Sequence, residues 1–240
     1  MSRNTRIGAI LKSDIKAAFR DFEQLLLVVG LPVLFLVFFS QVEVIEFDND
    51  PIDFLAPGIL TLGLLSIAFV RLAIGIGFDR TFGAIRRFSM TPLKSNEFLT
   101  AKILVTILLF AFQVSIITGV AVYLGWEPSF KPEIIGALLL ALIIFSALAF
   151  IVGGLFEGLT SLAIANSIYI LLLLFSGLIF EISKLPTLLA DITRFLPSTA
   201  LGEILRNGFA GETSQQWPWL TLLAWGVVTP IFAIQVFRWK

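Results

Sequence analysis

The chain contains no cysteine and no histidine, and it is poor in charge. Without cysteine there are no disulfides, so cysteine usage says nothing about compartment. With histidine also missing, Ser-His-Asp and Cys-His nucleophilic sites cannot be assembled, and zinc loses its main ligands. Intramembrane serine proteases that rely on a histidine base are excluded on the same ground. Charged residues make up 14% of the 240 positions, against roughly a quarter in an ordinary soluble domain. Acids and bases balance at 17 each, so net charge names no partner, and no nucleic acid is expected. A Walker A pattern is absent, and no room remains for a soluble nucleotide fold. If ATP drives this chain, the ATPase is another polypeptide.

What the chain has instead is apolar surface. Hydrophobic residues reach 58%, with 24 Phe and 5 Trp, and mean hydropathy is +0.96. One compact core cannot hide that much apolar surface from water. The fold class expected is therefore an all-α integral membrane protein. A crossing needs about 20 apolar residues, and six stretches qualify: roughly 22–42, 54–78, 103–124, 134–156, 162–180 and 217–237. They form a six-helix bundle over 22–237 within a single transmembrane domain, 1–240. Pro32, Pro57 and Pro230 fall inside spans, where neighbouring helices can re-satisfy freed carbonyls.

Lys and Arg orient the bundle. The N-terminal segment, the loop after span 2 and the tail together carry 12 of them; the opposite side carries 4, and Arg71 lies inside span 2. Both termini are thus expected in the cytoplasm.

Four pieces are not simple spans. Ile7, Leu11, Ile15, Ala18 and Phe22 recur at helical spacing, which predicts an amphipathic helix over 1–21 lying on the inner leaflet, either a plain anchor or a platform for a cytosolic partner. The loop 79–93 mixes basic and aromatic residues. Ala84, Ile85 and Phe88 make one face of a short helix that exposes Arg86 and Arg87. Thr91-Pro92 stops it, and Ser95 is expected to cap the next helix. Between spans 5 and 6, residues 182–216 predict a re-entrant hairpin of two short helices, a gate or a simple outer lid. Pro197 ends the first, and Ser198 or Thr199 caps the second. Arg71 either snorkels to the headgroups or faces an aqueous cavity. Glu157 sits in a tight turn before span 5, and Asn166, within that span, reads as a helix–helix hydrogen bond.

These features resemble the ABC type-2 permeases, the membrane subunits of type V ABC exporters. The resemblance rests on the N-terminal helix; on Asp79-Arg80, Gly83, Thr91-Pro92-Leu93 and Lys102 around the loop after span 2; on Ser176-Gly177 at the end of span 5; and on Leu185-Pro186, Leu196-Pro197 and Glu203-x-x-Arg206 in the outer hairpin. Asp79 stands where the family more often has Glu, and a proline common near Glu181 is missing; Glu181 and Lys184 are candidates for an ion pair.

The resemblance implies a permease working as a homodimer, paired through spans 1 and 5, in the inner membrane of a prokaryote. Two ABC ATPase subunits would dock on it, and ATP and Mg2+ would bind those partners. Asp79, Arg80, Gly83, Ile85, Arg86, Arg87, Phe88, Thr91 and Pro92 would form the coupling helix and its borders, with Glu157 as a second contact. Arg71, Asn166, Phe180, Glu181, Pro197, Glu203 and Arg206 are candidates for the translocation path and its gate. The expected cargo is a hydrophobic or amphipathic, drug-like or lipid-like molecule. A lipid-linked glycan is the alternative cargo. A secondary carrier without an ATPase is disfavoured by the lack of paired intramembrane carboxylates.

Overall fold

The computed structural model describes residues 3–20, 22–42, 50–179 and 187–237. Among the described residues every regular element is a helix: α1 (Arg3–Arg20), α2 (Phe22–Gln41), α3 (Pro51–Thr81), α4 (Ala84–Ser89), α5 (Ser95–Tyr123), α6 (Glu133–Leu155), α7 (Gly158–Phe175), α8 (Thr187–Thr193), α9 (Pro197–Phe209) and α10 (Gln216–Val236). Helices α3, α5, α6, α7 and α10 are long and apolar enough to cross a bilayer. Helix α2 stands where the first of the six expected spans was placed, but its apolar stretch Leu26–Gln41 is shorter than the others.

The spans start and stop at places the apolar runs alone do not mark. Helix α5 begins at Ser95, within a residue of the start expected from its capping signal and two turns ahead of the apolar run at 103. Glu97 accepts the backbone N–H of Lys94 at 3.0 Å and closes the first turn. Lys94, not Ser95, therefore holds the capping position. Likewise Leu196 precedes α9 and Pro197 opens it, where its missing N–H costs no helical bond. Ser198 and Thr199 do not cap that helix; the Ser198 hydroxyl meets the Ser176 hydroxyl at 2.7 Å.

Helix α3 is the axis of the bundle, touching α2, α5, α6, α7 and α9. Lipid supplies no hydrophobic drive for helices to meet, so close backbone approach matters more than apolar area. Small residues provide it. A side chain at Gly58 would strike the Leu178 carbonyl, and one at Gly153 would come 2.7 Å from the Ala73 carbonyl. Midway along α3 the helix widens into a π-helical turn over Ser66–Arg71. There the Gln113 amide of α5 donates to the Val28 carbonyl at 2.8 Å and reaches the Ser66 hydroxyl at 3.5 Å, tying α2, α3 and α5 together. Wide turns of this kind are rare and often sit at functional places.

Beyond the end of α7, residues 176–179 run inward as buried, non-helical backbone. The turn between α8 and α9, with Arg194 and Phe195 exposed, rests on the flank of α10. Trp225 donates its indole N–H to the Phe195 carbonyl at 2.8 Å, and Trp225 is nine residues into α10, about 13 Å at helical rise.

Candidate functional site

The bundle has two ends of different chemistry. The basic end carries α1, α4, the start of α5 and the α6–α7 turn. The hairpin end carries α9 and the starts of α3, α6 and α10.

At the basic end, α3 stops at Thr81 and the chain reverses through Gly83, whose φ of +67° only glycine adopts without strain. Helix α4 follows. Ile85 is buried, Ala84 and Phe88 are half-buried, and Arg86 and Arg87 face out, as their spacing predicts. Phe88 packs on Phe98 of α5, ring centroids 5.8 Å apart. The Thr91 hydroxyl donates to the Phe88 carbonyl at 2.7 Å and accepts the Leu93 N–H at 3.3 Å, so Thr91-Pro92-Leu93 clamps the far end of α4. Phe82 and Met90 remain 68% and 75% exposed on either side of it. The Glu157 turn is part of the same surface: the N–H of Gly158 donates to the Thr81 hydroxyl at 2.8 Å, and Glu157 itself is exposed.

Two sets of ion pairs fasten α1 to this platform. The Lys102 ammonium lies 2.9 Å from Asp14 on α1 and 2.9 Å from Asp79 on α3, and it is largely buried. Arg6 clasps Glu97 with two hydrogen bonds, one of 3.0 Å. The Glu97 hydrogen bond pushes the Arg6 guanidinium above its ordinary pKa. The apolar stripe of α1 is therefore not left wholly to lipid, because Leu11, Ile15 and Ala18 pack against the bundle. Lys12, Lys16 and Arg20 stay exposed. Asp79 and Arg80, expected at the coupling surface, are half-buried, and Asp79 is turned inward onto Lys102. Arg71, at the end of the π-helical turn, lines a cavity of about 190 Å³ together with Asp14, Asp79 and Lys102.

A second cavity, about 220 Å³, lies beside the π-helical turn between α2, α3 and α7, lined by Leu31, Pro32, Ser66, Val70, Asn166 and Tyr169. Asn166 opens onto it and is exposed. The Tyr169 hydroxyl is buried without a hydrogen-bond partner.

At the hairpin end Arg206 gathers three elements. Its guanidinium donates to the Gly177 carbonyl at 2.6 Å and to the Leu178 and Phe54 carbonyls at 3.4 Å. It pairs with Glu203 at 3.2 Å and lies 3.8 Å from the centroid of the Phe54 ring. The path and gate candidates thus fall in three places: Arg71 at the basic end, Asn166 beside the π-helical turn, and Pro197, Glu203 and Arg206 in the hairpin. Asn166's cavity and the Arg206 knot are well separated, since Ser66 and Phe54 lie twelve residues apart on α3, about 18 Å. Phe180, Glu181 and Lys184 lie outside the described residues.

Three residues here were not singled out by sequence reasoning. Gln113 and Glu97 each interrupt or begin an apolar run, and a lone amide inside such a run is a usable signal. Asp14 reads as one more charge on an amphipathic helix, and its partner is 88 positions away.

A family model described as ABC-2 type transporter matches residues 5–210. No curated protein sequence matches the chain.

Proposed function

Because the chain belongs to the ABC-2 type transporter family, a family of multi-pass membrane permeases, we propose that it is the permease subunit of an ATP-driven exporter, gripped by a separate ATPase at its basic end. The observation that carries this reading is the outer surface of α4. Exposed Phe82, Arg86, Arg87 and Met90 lie on and to either side of α4, near the Glu157 turn, on a platform braced by Thr81, Thr91 and the Phe88–Phe98 contact. Membrane orientation needs only the positive charge; exposed aromatic and thioether groups among the arginines make a hot-spot surface for a protein partner. The basic end then faces the cytoplasm, α2 supplies the sixth span, and the α8–α9 hairpin is re-entrant from the outer side.

A second copy of the chain completes the path. Helix α7 is buried only at Gly158, Ser161 and Ala165, in its first two turns. From Asn166 onward it leaves an apolar face beside exposed Leu27, Leu31 and Leu34 of α2. Pairing two such faces places the Asn166 cavities at the seam, where apolar walls and a few polar groups suit a hydrophobic or amphipathic cargo. ATP and Mg2+ belong to the partner, and closure of two ATPases would drive the seam between two states.

The test is co-purification with the ATPase subunit. Arg86→Glu combined with Arg87→Glu is expected to abolish stoichiometric association while membrane insertion stays normal. Retained association with transport would overturn the docking surface.

A further inference from the structure

Buried hydroxyls inside membrane helices usually donate to a backbone carbonyl of their own helix, which removes the cost of holding a polar group in an apolar setting. The candidate spans follow that habit. Thr61 donates to Pro57, Ser66 to Gly63, Thr106 to Lys102 and Thr229 to Trp225, while Ser161 donates to Phe156 just before its helix. Among the buried serines and threonines described in these spans, Ser146 departs from it. It is 1% exposed and its hydroxyl has no hydrogen-bond partner.

Ser146 lies thirteen residues into α6, about 20 Å from its start and near the middle of the helix. It lines a groove of about 250 Å³ between α5, α6 and α10, whose other walls include Leu99, Ile103, Phe150, Pro230 and Phe237. Phe150 and Phe237 meet edge to face at 5.8 Å and close one side. Ser95, in the first turn of α5, marks the mouth at the basic end. The groove is on α5, α6 and α10, away from the Asn166 cavity on α2 and α7.

We propose that this groove is a binding site for a small apolar molecule dissolved in the bilayer that carries one hydrogen-bond acceptor, such as a ketone or quinone-type carbonyl, which takes the Ser146 hydroxyl. A lipid hydrocarbon tail suits the walls but leaves the hydroxyl unsatisfied. A water-soluble ligand has no route through walls of Leu, Ile and Phe. An apolar body with a single carbonyl meets both requirements, the aromatic pair packing on the body and Ser146 setting its register. The site does not depend on the docking of an ATPase and stands or falls apart from it.

Benzophenone serves as the probe, because it is apolar, carries one ketone and cross-links on irradiation. The full-length chain in phosphatidylglycerol nanodiscs is expected to label saturably on peptides that contain Ile103 or Phe150. Ser146→Ala should raise the half-saturating concentration about fivefold, the scale of one lost hydrogen bond. Ser146→Thr keeps the hydroxyl and should stay within about twofold of the parent. Ile143→Trp, at a half-exposed residue on the groove's rim, should remove the saturable component. Labelling that rises linearly with probe, or that saturates identically in Ser146→Ala, overturns the proposal and leaves the groove to lipid tails.

Discussion

At the basic end, α1 and α3 meet through one ammonium, Lys102, shared between the carboxylates of Asp14 and Asp79. At the hairpin end, α3, α9 and the segment after α7 meet through one guanidinium, Arg206, whose acceptors are mostly backbone carbonyls. Both knots join helices far apart in sequence, and both bury a cation. They differ in what the cation holds. Side-chain carboxylates on Asp14 and Asp79 can rotate away and be hydrated, so the first knot can open while each helix stays intact. Carbonyls of Gly177, Leu178 and Phe54 cannot leave without moving the backbone, and the planar fork of Arg suits several fixed acceptors at once. The basic end is built as a joint and the hairpin end as a weld. That division fits the proposed exporter, in which a motor would push one end and the helices there would shift while the far ends hold register.

The contrast is sharpest for Arg206. Arg206→Met leaves three carbonyls without their donor and frees the Glu203 carboxylate, and is expected to cost about 3–5 kcal/mol. Arg206→Lys should recover little, since an ammonium cannot span the same acceptors. Thermal unfolding in detergent measures both; a melting point within a degree or two of the parent would show that the hairpin is not welded.

Lys102→Met comes next. It strands two half-buried carboxylates and is expected to cost about 2–3 kcal/mol, less than Arg206 because both carboxylates can turn to water. Combining it with Asp14→Asn and Asp79→Asn should recover most of the loss. A chain with no native cysteine allows a clean cross-linking readout. A cysteine pair at Ala17 and Gly75, which flank the same cavity, should cross-link readily in the parent and slowly in Lys102→Met. Equal rates would mean that the Lys102 pairs are not what holds α1 against α3.

The smallest effect belongs to Arg6→Ala. Its partner Glu97 keeps the Lys94 N–H, so the start of α5 stays capped. Glu97 loses the cation that chiefly holds its carboxylate ionised, but the shorter side chain also lets water reach it. The expected result is faster amide exchange concentrated in α1, with a drop in melting point smaller than that of Lys102→Met. Faster exchange spreading into α5 would show instead that Arg6 holds the cap itself.

Much of this architecture is legible without coordinates. The spans are legible because a bilayer demands about 20 apolar residues in a row, a requirement that acts on each segment alone. The α4 platform is legible for a similar reason: Ile85 and Phe88 at helical spacing, the stop at Thr91-Pro92 and the glycine at 83 are all local. The helix starts are less so. Ser95 and Ser198 look like caps by residue type, yet Glu97 and the Ser176–Ser198 pair decide otherwise, since a hydroxyl can be claimed by a distant partner.

Membrane residence, the helical class, the two chemically distinct ends and the mix of aromatic and basic residues on and beside α4 were determined by the sequence by itself, because each follows from the solvent or from neighbours within a turn or two. Only the tertiary structure decided that Asp14 and Asp79 share Lys102, that Gln113 reaches across to Val28 at the π-helical turn, that Arg206 collects carbonyls from Phe54 and Gly177, and that Ser146, among the buried serines and threonines described in the spans, is the one without an acceptor. Hydrogen bonds and ion pairs act over about 3 Å, and which groups come that close depends on how whole helices pack, a property that no single segment of the chain carries.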